Sequence, residues 1–305
     1  MRNAFVDTVI EASLQRDDIF IISGDAGLGV FDEFQKQRPD RFLNLGVAEQ
    51  NMIGWAAGMA LTGFRVYVYN IAPFVLYRCY EQVRNDICYQ NLPVTLIGIG
   101  SGLTYSPMGM THYSVEDLAI TRSLPNLRVY SPADPTEAES AARISLEGGS
   151  PTYVRLAKRG EPRIHSDAPD VTRPLQLVDG RDVALVFHGT VVNEVMEAQE
   201  SLKDQGISAK VISLPQISPC PIELLDDMLE GIPNVVTIEE HFVDSGLGSR
   251  LAYWLAANRP AWKLNCIGIP PEYIHVVKKQ DGMRQHYNLT TEYIVSHVCD
   301  LIGRN

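Results

Sequence analysis

The residue of this chain best placed for chemistry is Glu49, within the segment LNLGVAEQNMIGWAAGMA (residues 43–60). The apolar run before it is typical of a strand, and the glycine- and alanine-rich run after it is typical of a helix. Ligands of parallel sheets bind beyond the carboxyl ends of the strands, so a carboxylate at this junction can meet a bound molecule. A glutamate in the first helical turn can also serve only to complement the helix dipole.

The segment that follows Glu49 is rich in small side chains. They are Gly54, Ala56, Ala57, Gly58 and Ala60. Residues of this size allow another backbone to approach closely, which is unusual on a surface that faces solvent. We therefore predict a helix over residues 50–61 that packs tightly on a neighbour.

The elements around this helix alternate in type. Short apolar runs that are typical of buried parallel strands alternate with segments of helical periodicity. The pattern predicts a parallel α/β sheet with helices on both faces. The predicted strands are residues 19–23, 42–48, 65–70, 93–100, 127–132 and 151–157, and the predicted helices are residues 4–14, 50–61, 74–88 and 135–146.

A polar, proline-bearing stretch, RGEPRIHSDAPDVTRP (residues 159–174), interrupts this alternation and indicates a linker. The strand and helix pattern then resumes. We predict two doubly wound α/β domains, one of residues 1–160 and a smaller one of residues 181–305, joined by a linker of residues 161–180.

Composition narrows the possible partners. The chain has 305 residues, a formal net charge of -11 and a pI near 5.1, with no cluster of basic residues of the kind that nucleic-acid binding requires. The longest apolar runs are far shorter than a membrane span. Five cysteines without a CxxC pair argue against a disulfide framework and a zinc site. We expect a cytoplasmic protein that binds neither nucleic acid nor membrane, and no metal ligand of its own.

Several ordered motifs resemble the transketolase family. They are GDAG (24–27), GVAEQNMIGWAAGMA (46–60), the run from Thr111 to Asp134, PTYVRLAKRG (151–160), VVTIEEHFVDSGLGS (235–249) and the closing DGMRQHYNLTTEYIVSHV (281–298). The resemblance covers nearly the whole chain. It implies a pyrimidine-binding domain for thiamine diphosphate, followed by a transketolase C-terminal-like domain.

The resemblance also implies a role for Glu49. The family's glutamate hydrogen-bonds N1' of the cofactor aminopyrimidine and thereby promotes loss of the C2 proton, while the cofactor serves as the electron sink. Asp25, in the GDAG motif, is assigned to cofactor binding on the same basis. To donate to N1', Glu49 must hold a proton, which requires that burial outweigh the acidifying helix dipole.

Two further positions match the family's cofactor site. Phe74 and Tyr77 lie where the family places an aromatic ring against the pyrimidine, and either can stack there. His112, in MGMTHYS, matches a histidine near C2 that binds the donor carbonyl or passes protons. The resemblance thus predicts Glu49 and His112 as the catalytic pair.

The chain departs from the family in lacking the GDG motif, followed by an asparagine, that binds magnesium and diphosphate. We therefore predict an N-terminal partner subunit that carries this motif and supplies magnesium, in an α2β2 assembly. The expected reaction is transfer of a two-carbon ketol or acyl unit from a ketose or 2-oxoacid donor to an aldehyde acceptor.

The donor-binding positions are altered as well. Where sugar-phosphate transketolases carry a histidine and an aspartate before His112, this chain has Gly100 and Met108, and a phosphate-binding serine is replaced by Gly29. We expect a more apolar donor pocket and a non-standard donor. The basic positions Arg2, Lys158 and Arg159 still match the family and can hold a phosphate or carboxylate, or they can be ordinary surface cations.

Two alternatives remain open. The β subunit of a 2-oxoacid dehydrogenase E1 component shares the domain order, the cofactor glutamate and the need for a partner. A non-catalytic scaffold of the same fold would explain Gly100 and Met108, but not the retained Glu49 and His112.

Overall fold

The computed structural model describes residues 1–158 and 160–304, and it contains two sheets with helices on both faces of each. The first sheet has seven strands in the order β10-β5-β6-β4-β3-β1-β2, all parallel except β10. These strands are β1 (Ile19–Ser23), β2 (Phe42–Asn44), β3 (Arg65–Ile71), β4 (Val94–Ile99), β5 (Arg128–Tyr130), β6 (Thr152–Leu156) and β10 (Gln216–Ser218).

The second sheet has five strands in the order β12-β11-β8-β9-β7, in which only β7 is antiparallel. They are β7 (Leu175–Val178), β8 (Val183–Phe187), β9 (Ala209–Ser213), β11 (Asn234–Phe242) and β12 (Lys263–Ile269). The predicted α/β architecture with two sheets is confirmed. Strand β7 lies within the stretch predicted as linker, where the short LQLV run pairs with β9.

Helices cover both faces of each sheet, so that each sheet lies between two apolar cores. In the first half they are α1 (Arg2–Ser13), α2 (Asp32–Gln37), α3 (Glu49–Leu61), α4 (Ala72–Val75), α5 (Tyr80–Gln82), α6 (Asp117–Arg122) and α7 (Pro135–Glu147). In the second half they are α8 (Val192–Asp204), α9 (Ile222–Met228), α10 (Leu247–Asn258), α11 (Gln280–His286) and α12 (Thr291–Ile302). Among the described residues no helix is both long enough and apolar enough to cross a bilayer.

The helix predicted over residues 74–88 is interrupted. Its residues divide into α4, α5 and a π-helical turn, Val83–Cys88, with an irregular stretch after Val75. In that stretch the carbonyl of Arg78 accepts a hydrogen bond from Gln50 Nε2 at 3.2 Å. This carbonyl is therefore bound by a side chain of another helix, α3. The periodicity of the sequence cannot reveal such an interruption.

The two halves meet across a buried polar seam. The guanidinium of Arg155, at 1% exposure, donates to Asp117 Oδ2 at 2.8 Å and to the carbonyls of Ser114 at 2.6 Å and Glu240 at 3.0 Å. Tyr153 donates to the same Asp117 oxygen at 2.8 Å. A buried arginine inside a sheet is tolerable only because partners from both halves satisfy its donors.

A second junction fixes the start of the linker. Asp134, Glu137 and His165 have ligand-type atoms within 4.8 Å of one another. All four carboxylate oxygens already accept hydrogen bonds. The two oxygens of Asp134 accept from Glu137 N and Ile164 N. The two oxygens of Glu137 accept from Ala133 N and Ser213 Oγ. We interpret the group as a structural junction, because it joins α7, the linker and strand β9.

His165 makes this junction sensitive to pH. Burial disfavours the charged ring, but Glu137, whose Oε1 lies 3.0 Å from Nε2, raises the pKa of His165 above its ordinary 6.5. The stabilisation is therefore complete below about pH 6.5 and is lost as pH rises through the higher pKa of the folded state.

We predict that His165→Gln lowers Tm by about 2–4 °C at pH 6, as expected for loss of a charged hydrogen bond of about 1 kcal/mol, and by less at pH 9. Thermal unfolding followed by circular dichroism across this range measures the difference. His275→Gln, at an exposed histidine, serves as the control and should give the same Tm as the parent. A Tm difference independent of pH would contradict the assignment.

Candidate active site

Glu49 is the first residue of α3, just beyond the carboxyl end of the edge strand β2. The turn between them is organised by Asn44, whose Oδ1 accepts hydrogen bonds from Gly46 N at 2.9 Å and Asp25 N at 3.2 Å. Gly46 has φ +65, a value that few side chains tolerate. At this turn the Glu49 side chain is only 4% exposed.

Arg78 pairs with this buried carboxylate. Its Nη1 donates to Glu49 Oε2 at 2.8 Å, and its guanidinium carbon lies 4.5 Å from the centre of the Phe74 ring. The arginine side chain is 46% exposed, so it extends from the surface down to Glu49. Arg78 thus contacts both Glu49 and Phe74.

The two predicted aromatic residues have different surroundings. Phe74 packs edge to face against His112, with ring centroids 5.1 Å apart, and it also contacts Arg78. The ring of Tyr77 packs against the core beneath α3, and its hydroxyl donates to Glu116 Oε2 at 3.1 Å. Only Phe74 therefore borders both Arg78 and His112.

His112 lies in a loop between β4 and α6. Its Nδ1 lies 2.9 Å from Thr111 Oγ1, and partial burial lowers the pKa of His112 below its ordinary value, which favours the neutral ring. A neutral imidazole can both accept and donate a proton near pH 7. Among the predicted residues, the structure thus places Phe74 beside His112, and Arg78 links Phe74 to Glu49.

Tyr105 connects His112 with the predicted basic positions. Its ring lies 6.3 Å from that of His112, and Lys158 Nζ lies 5.6 Å from the ring centre. Burial raises the pKa of Tyr105, and the nearby charge of Arg2 opposes this rise. Arg2 and Lys158 therefore both lie close to one aromatic ring next to His112, whereas Arg159 falls outside the described residues.

The remaining predicted positions have simpler surroundings. Gly100 has φ +93, and a Cβ there would overlap the Tyr105 ring, so glycine is required for Tyr105 to pack. Met108 is 60% exposed in the same loop. Gly29 and the side chain of Asp25 are exposed, and Asp25 contributes its backbone N–H to Asn44.

A surface rich in apolar residues adjoins Glu49. Helix α3 leaves Trp55 and Leu61 exposed, Val47 precedes it in the turn, and the positions of Gly54 and Gly58 have open space above them. We call these five residues the α3 face. Exposed apolar side chains beside open glycine positions are typical of a protein interface.

Two family models match the chain, namely Transketolase, pyrimidine binding domain, over residues 1–162, and Transketolase, C-terminal domain, over residues 175–294. The chain belongs to the transketolase family. As the motifs predicted, it carries the domain that binds the pyrimidine of thiamine diphosphate, and members of the family are transferases that depend on this cofactor.

Several relatives are of similar length and match this chain over nearly its whole length. A subunit of the apulose-4-phosphate transketolase of Actinobacillus succinogenes is 32% identical, over 97% of this chain and 96% of the relative. A 6-deoxy-6-sulfo-D-fructose transketolase subunit of Clostridium sp. is also 32% identical, over 97% and 92%. A solved structure, described as a split gene transketolase, inactive beta4 tetramer, superposes with a TM-score of 0.87 at 30% identity, covering 99% of this chain and 97% of that one.

Three residues of the candidate site were not identified from the sequence. Arg78 follows Phe74 by four residues, so the predicted helix would have placed both on one face and could have suggested it. Asn44 and Tyr105 act through a turn and a loop, for which the sequence offers no periodic signal.

The pair of Glu49 and Arg78 can be tested by a double-mutant cycle on the chain alone. We predict that Arg78→Met destabilises the parent by about 1 kcal/mol, or about 2–4 °C in Tm, because it leaves a buried carboxylate unpaired. In a Glu49→Gln background the same substitution should cost much less.

Arg84→Met is the matched control, since Arg84 lies on the next helical turn in an exposed pair with Glu81. It should shift Tm by less than about 1 °C. Equal losses from Arg78→Met in both backgrounds would show that Glu49 and Arg78 are not coupled.

Proposed function

We propose that this chain is the pyrimidine-binding subunit of a two-subunit transketolase, with Glu49 as the residue that activates thiamine diphosphate. The observation that carries the proposal is the grouping of a buried carboxylate, an aromatic ring and a partly buried imidazole at one edge of a parallel sheet. Such a set fits an aminopyrimidine, which needs an acceptor or donor for its ring nitrogen and a flat apolar surface. The same set argues against a scaffold without chemistry.

Each residue of this group has a distinct part in the proposal. Glu49 holds the proton shared with N1', Phe74 provides the stacking surface, and His112 binds the donor carbonyl or passes protons. The cofactor itself supplies the carbon nucleophile and the electron sink when it is bound. Asp25 supports the cofactor site indirectly in this proposal. Its backbone N–H binds Asn44, which organises the turn next to Glu49.

In this proposal, Arg78 must move when the cofactor binds. Its guanidinium holds Glu49 Oε2 and covers the Phe74 ring, the two features to which an aminopyrimidine would bind. We infer that Arg78 must give up at least one of these contacts when the cofactor enters. Its 46% exposure leaves the side chain free to turn towards solvent.

The partner is proposed to be an N-terminal transketolase subunit with the GDG motif, which binds the diphosphate and magnesium. The α3 face supports this, because it is apolar, open and next to Glu49. The relatives named as transketolase subunits, and the structure described as an inactive beta4 tetramer, support a need for a second kind of chain. An α2β2 assembly in the cytoplasm completes the proposal, with a first domain of residues 1–160 and a second domain that includes strand β7.

The donor is proposed to be an anionic ketose other than xylulose 5-phosphate and fructose 6-phosphate. Arg2 and Lys158, both close to the Tyr105 ring, can hold an anionic tail, while Gly100 and Met108 offer no polar side-chain contact to donor hydroxyls. The names of the relatives fit this, since they carry a phosphate and a sulfo group. Arg159, which lies outside the described residues, is proposed as a donor-binding residue on the family resemblance alone.

Glu49→Gln tests the central role. We predict that the variant folds and assembles but loses about 10²–10⁴-fold in kcat, because a nearly isosteric amide cannot exchange a proton with N1'. The measurement is exchange of the cofactor C2 proton in the reconstituted complex. Glu81→Gln, at an exposed glutamate on the neighbouring α5, is the matched control and should exchange at the parent rate. Exchange at the parent rate in Glu49→Gln would refute the role.

A reconstitution assay tests the partner and the donor together. We predict no tight binding of thiamine diphosphate and magnesium to the chain alone by calorimetry, and activity only after addition of the N-terminal subunit.

With the reconstituted complex, kcat/KM for xylulose 5-phosphate should be about 100-fold or more below that for the preferred anionic ketose, since lost hydroxyl contacts cost about 1–3 kcal/mol each. Efficient use of xylulose 5-phosphate or fructose 6-phosphate would contradict the donor assignment, and acyl transfer to lipoamide would indicate a 2-oxoacid dehydrogenase component.

A further inference from the structure

The loop that carries His112 is closed at its base. Gly102 and Ser114 exchange two backbone hydrogen bonds, at 3.1 Å from Gly102 N to Ser114 O and at 3.0 Å in the other direction. The chain between them forms only two short 3-10 turns, Ser106–Met108 and Met110–His112. The position of His112 therefore depends on what holds this base and this loop in place. We call residues 102–114 the His112 loop.

The base is held by a carboxylate from the second domain. Glu240, near the carboxyl end of β11, accepts a hydrogen bond on Oε2 from Leu103 N at 3.0 Å. A Cβ at Gly102 would overlap the same oxygen, so glycine at that position is what lets Glu240 fit beneath the loop. Gly102 also has φ +56, which favours glycine for a second reason.

Glu240 is itself fixed by a buried arginine. Arg284 Nε donates to Glu240 Oε1 at 2.6 Å, and Gln280 Nε2 lies 3.1 Å from the same oxygen. Burial acts against the charge of Glu240, but Arg284 lowers the pKa of this carboxyl below its ordinary value. Arg284 also binds Glu194 Oε1 at 2.5 Å and the carbonyl of Thr190 at 2.8 Å. The carboxylate therefore has one fixed orientation, with Oε2 towards the loop.

The second domain also holds the part of the loop next to His112. Tyr113 donates its hydroxyl to the carbonyl of Val276 at 2.9 Å, and beyond the loop Phe242 N donates to Val115 O at 3.0 Å. Both ends of the His112 loop thus bind the second domain. A displacement of about 1 Å at a catalytic group is enough to reduce turnover strongly.

We propose that Glu240 is a positioning residue for the transferase reaction, which holds the His112 loop in its active arrangement from the second domain through Leu103 N. Arg284 acts with it by fixing the orientation of the Glu240 carboxylate. The catalytic part of this inference rests on the proposed function, whereas the restraint of the loop does not. The C-terminal domain, in this view, contributes to the active site without a residue that touches the cofactor or the donor.

Glu240→Gln tests the inference, with Glu194→Gln as the matched control. Both substitutions remove one negative charge from Arg284, but Glu194 makes no side-chain hydrogen bond to the His112 loop in the described part of the chain. Hydrogen exchange of the chain alone, read in peptides from residues 101–114, should be about tenfold or more faster in Glu240→Gln and unchanged in Glu194→Gln. Unchanged exchange in Glu240→Gln, or equal acceleration in both variants, would overturn the inference.

The reconstituted complex provides the second measurement. In Glu240→Gln, kcat/KM for the donor should fall about tenfold or more, with the affinity for thiamine diphosphate within about twofold of the parent. An equal loss of cofactor affinity would point to general loosening and overturn the positioning role. If no complex is active with any donor, the proposed function fails, while the exchange experiment still decides whether Glu240 holds the loop.

A variant with a smaller change covers the case in which Glu240→Gln does not fold. Tyr113→Phe deletes a single hydroxyl, which contacts Val276 O in the second domain at 2.9 Å and Ser106 O within the loop at 3.2 Å. Faster exchange both in the loop and in peptides from residues 270–278 would support restraint by the second domain, whereas faster exchange confined to the loop would reflect the Ser106 contact and contradict it. Exchange at the parent rate would contradict it.

Discussion

The structure depends on one buried charged group, the guanidinium of Arg155. Arg155 lies within the inner strand β6, and its guanidinium is sealed from solvent. Burial of an unpaired ion costs several kcal/mol, so the fold must bring acceptors to it. Asp117 provides one, and the carbonyls of Ser114 and Glu240 provide the others. Because Glu240 belongs to the second domain, one of the three acceptors reaches Arg155 only when both domains are docked.

This constraint explains why the site and the domain boundary are physically linked. Ser114 closes the His112 loop, and Asp117 begins helix α6, shortly after it. The same arginine therefore fixes the segment behind His112 and the second domain at once. A transketolase subunit of this kind gains a defined site from the docking of its halves, even though all the residues predicted for cofactor binding belong to the first half.

Much of the fold could be predicted because the central strands are buried on both faces. β4 and β8 are buried along their entire length, and such strands form the uninterrupted apolar runs that identify them in the sequence. Strand β10 has only three residues, too few for a periodic signal. The break after Val75 also has no periodic signal, and the carbonyl of Arg78 within it accepts a hydrogen bond from Gln50 of another helix.

The candidate site could be predicted in its residue types but not in its contacts. The spacing of four residues between Phe74 and Arg78 could suggest that they share a face, but the sequence has no signal for the pairing of Arg78 with Glu49. Nor could it choose between Phe74 and Tyr77, since that choice depends on the hydrogen bond from Tyr77 to Glu116.

Strand β10 carries a consequence for how such chains can evolve. It comes from the second half of the chain, yet it forms the edge of the first sheet, where it covers β5. A first domain separated from it would lose this neighbour and leave the backbone of β5 unpaired on one edge. A gene split between the two domains would therefore break a strand pairing, whereas a split before the pyrimidine-binding domain would leave it intact.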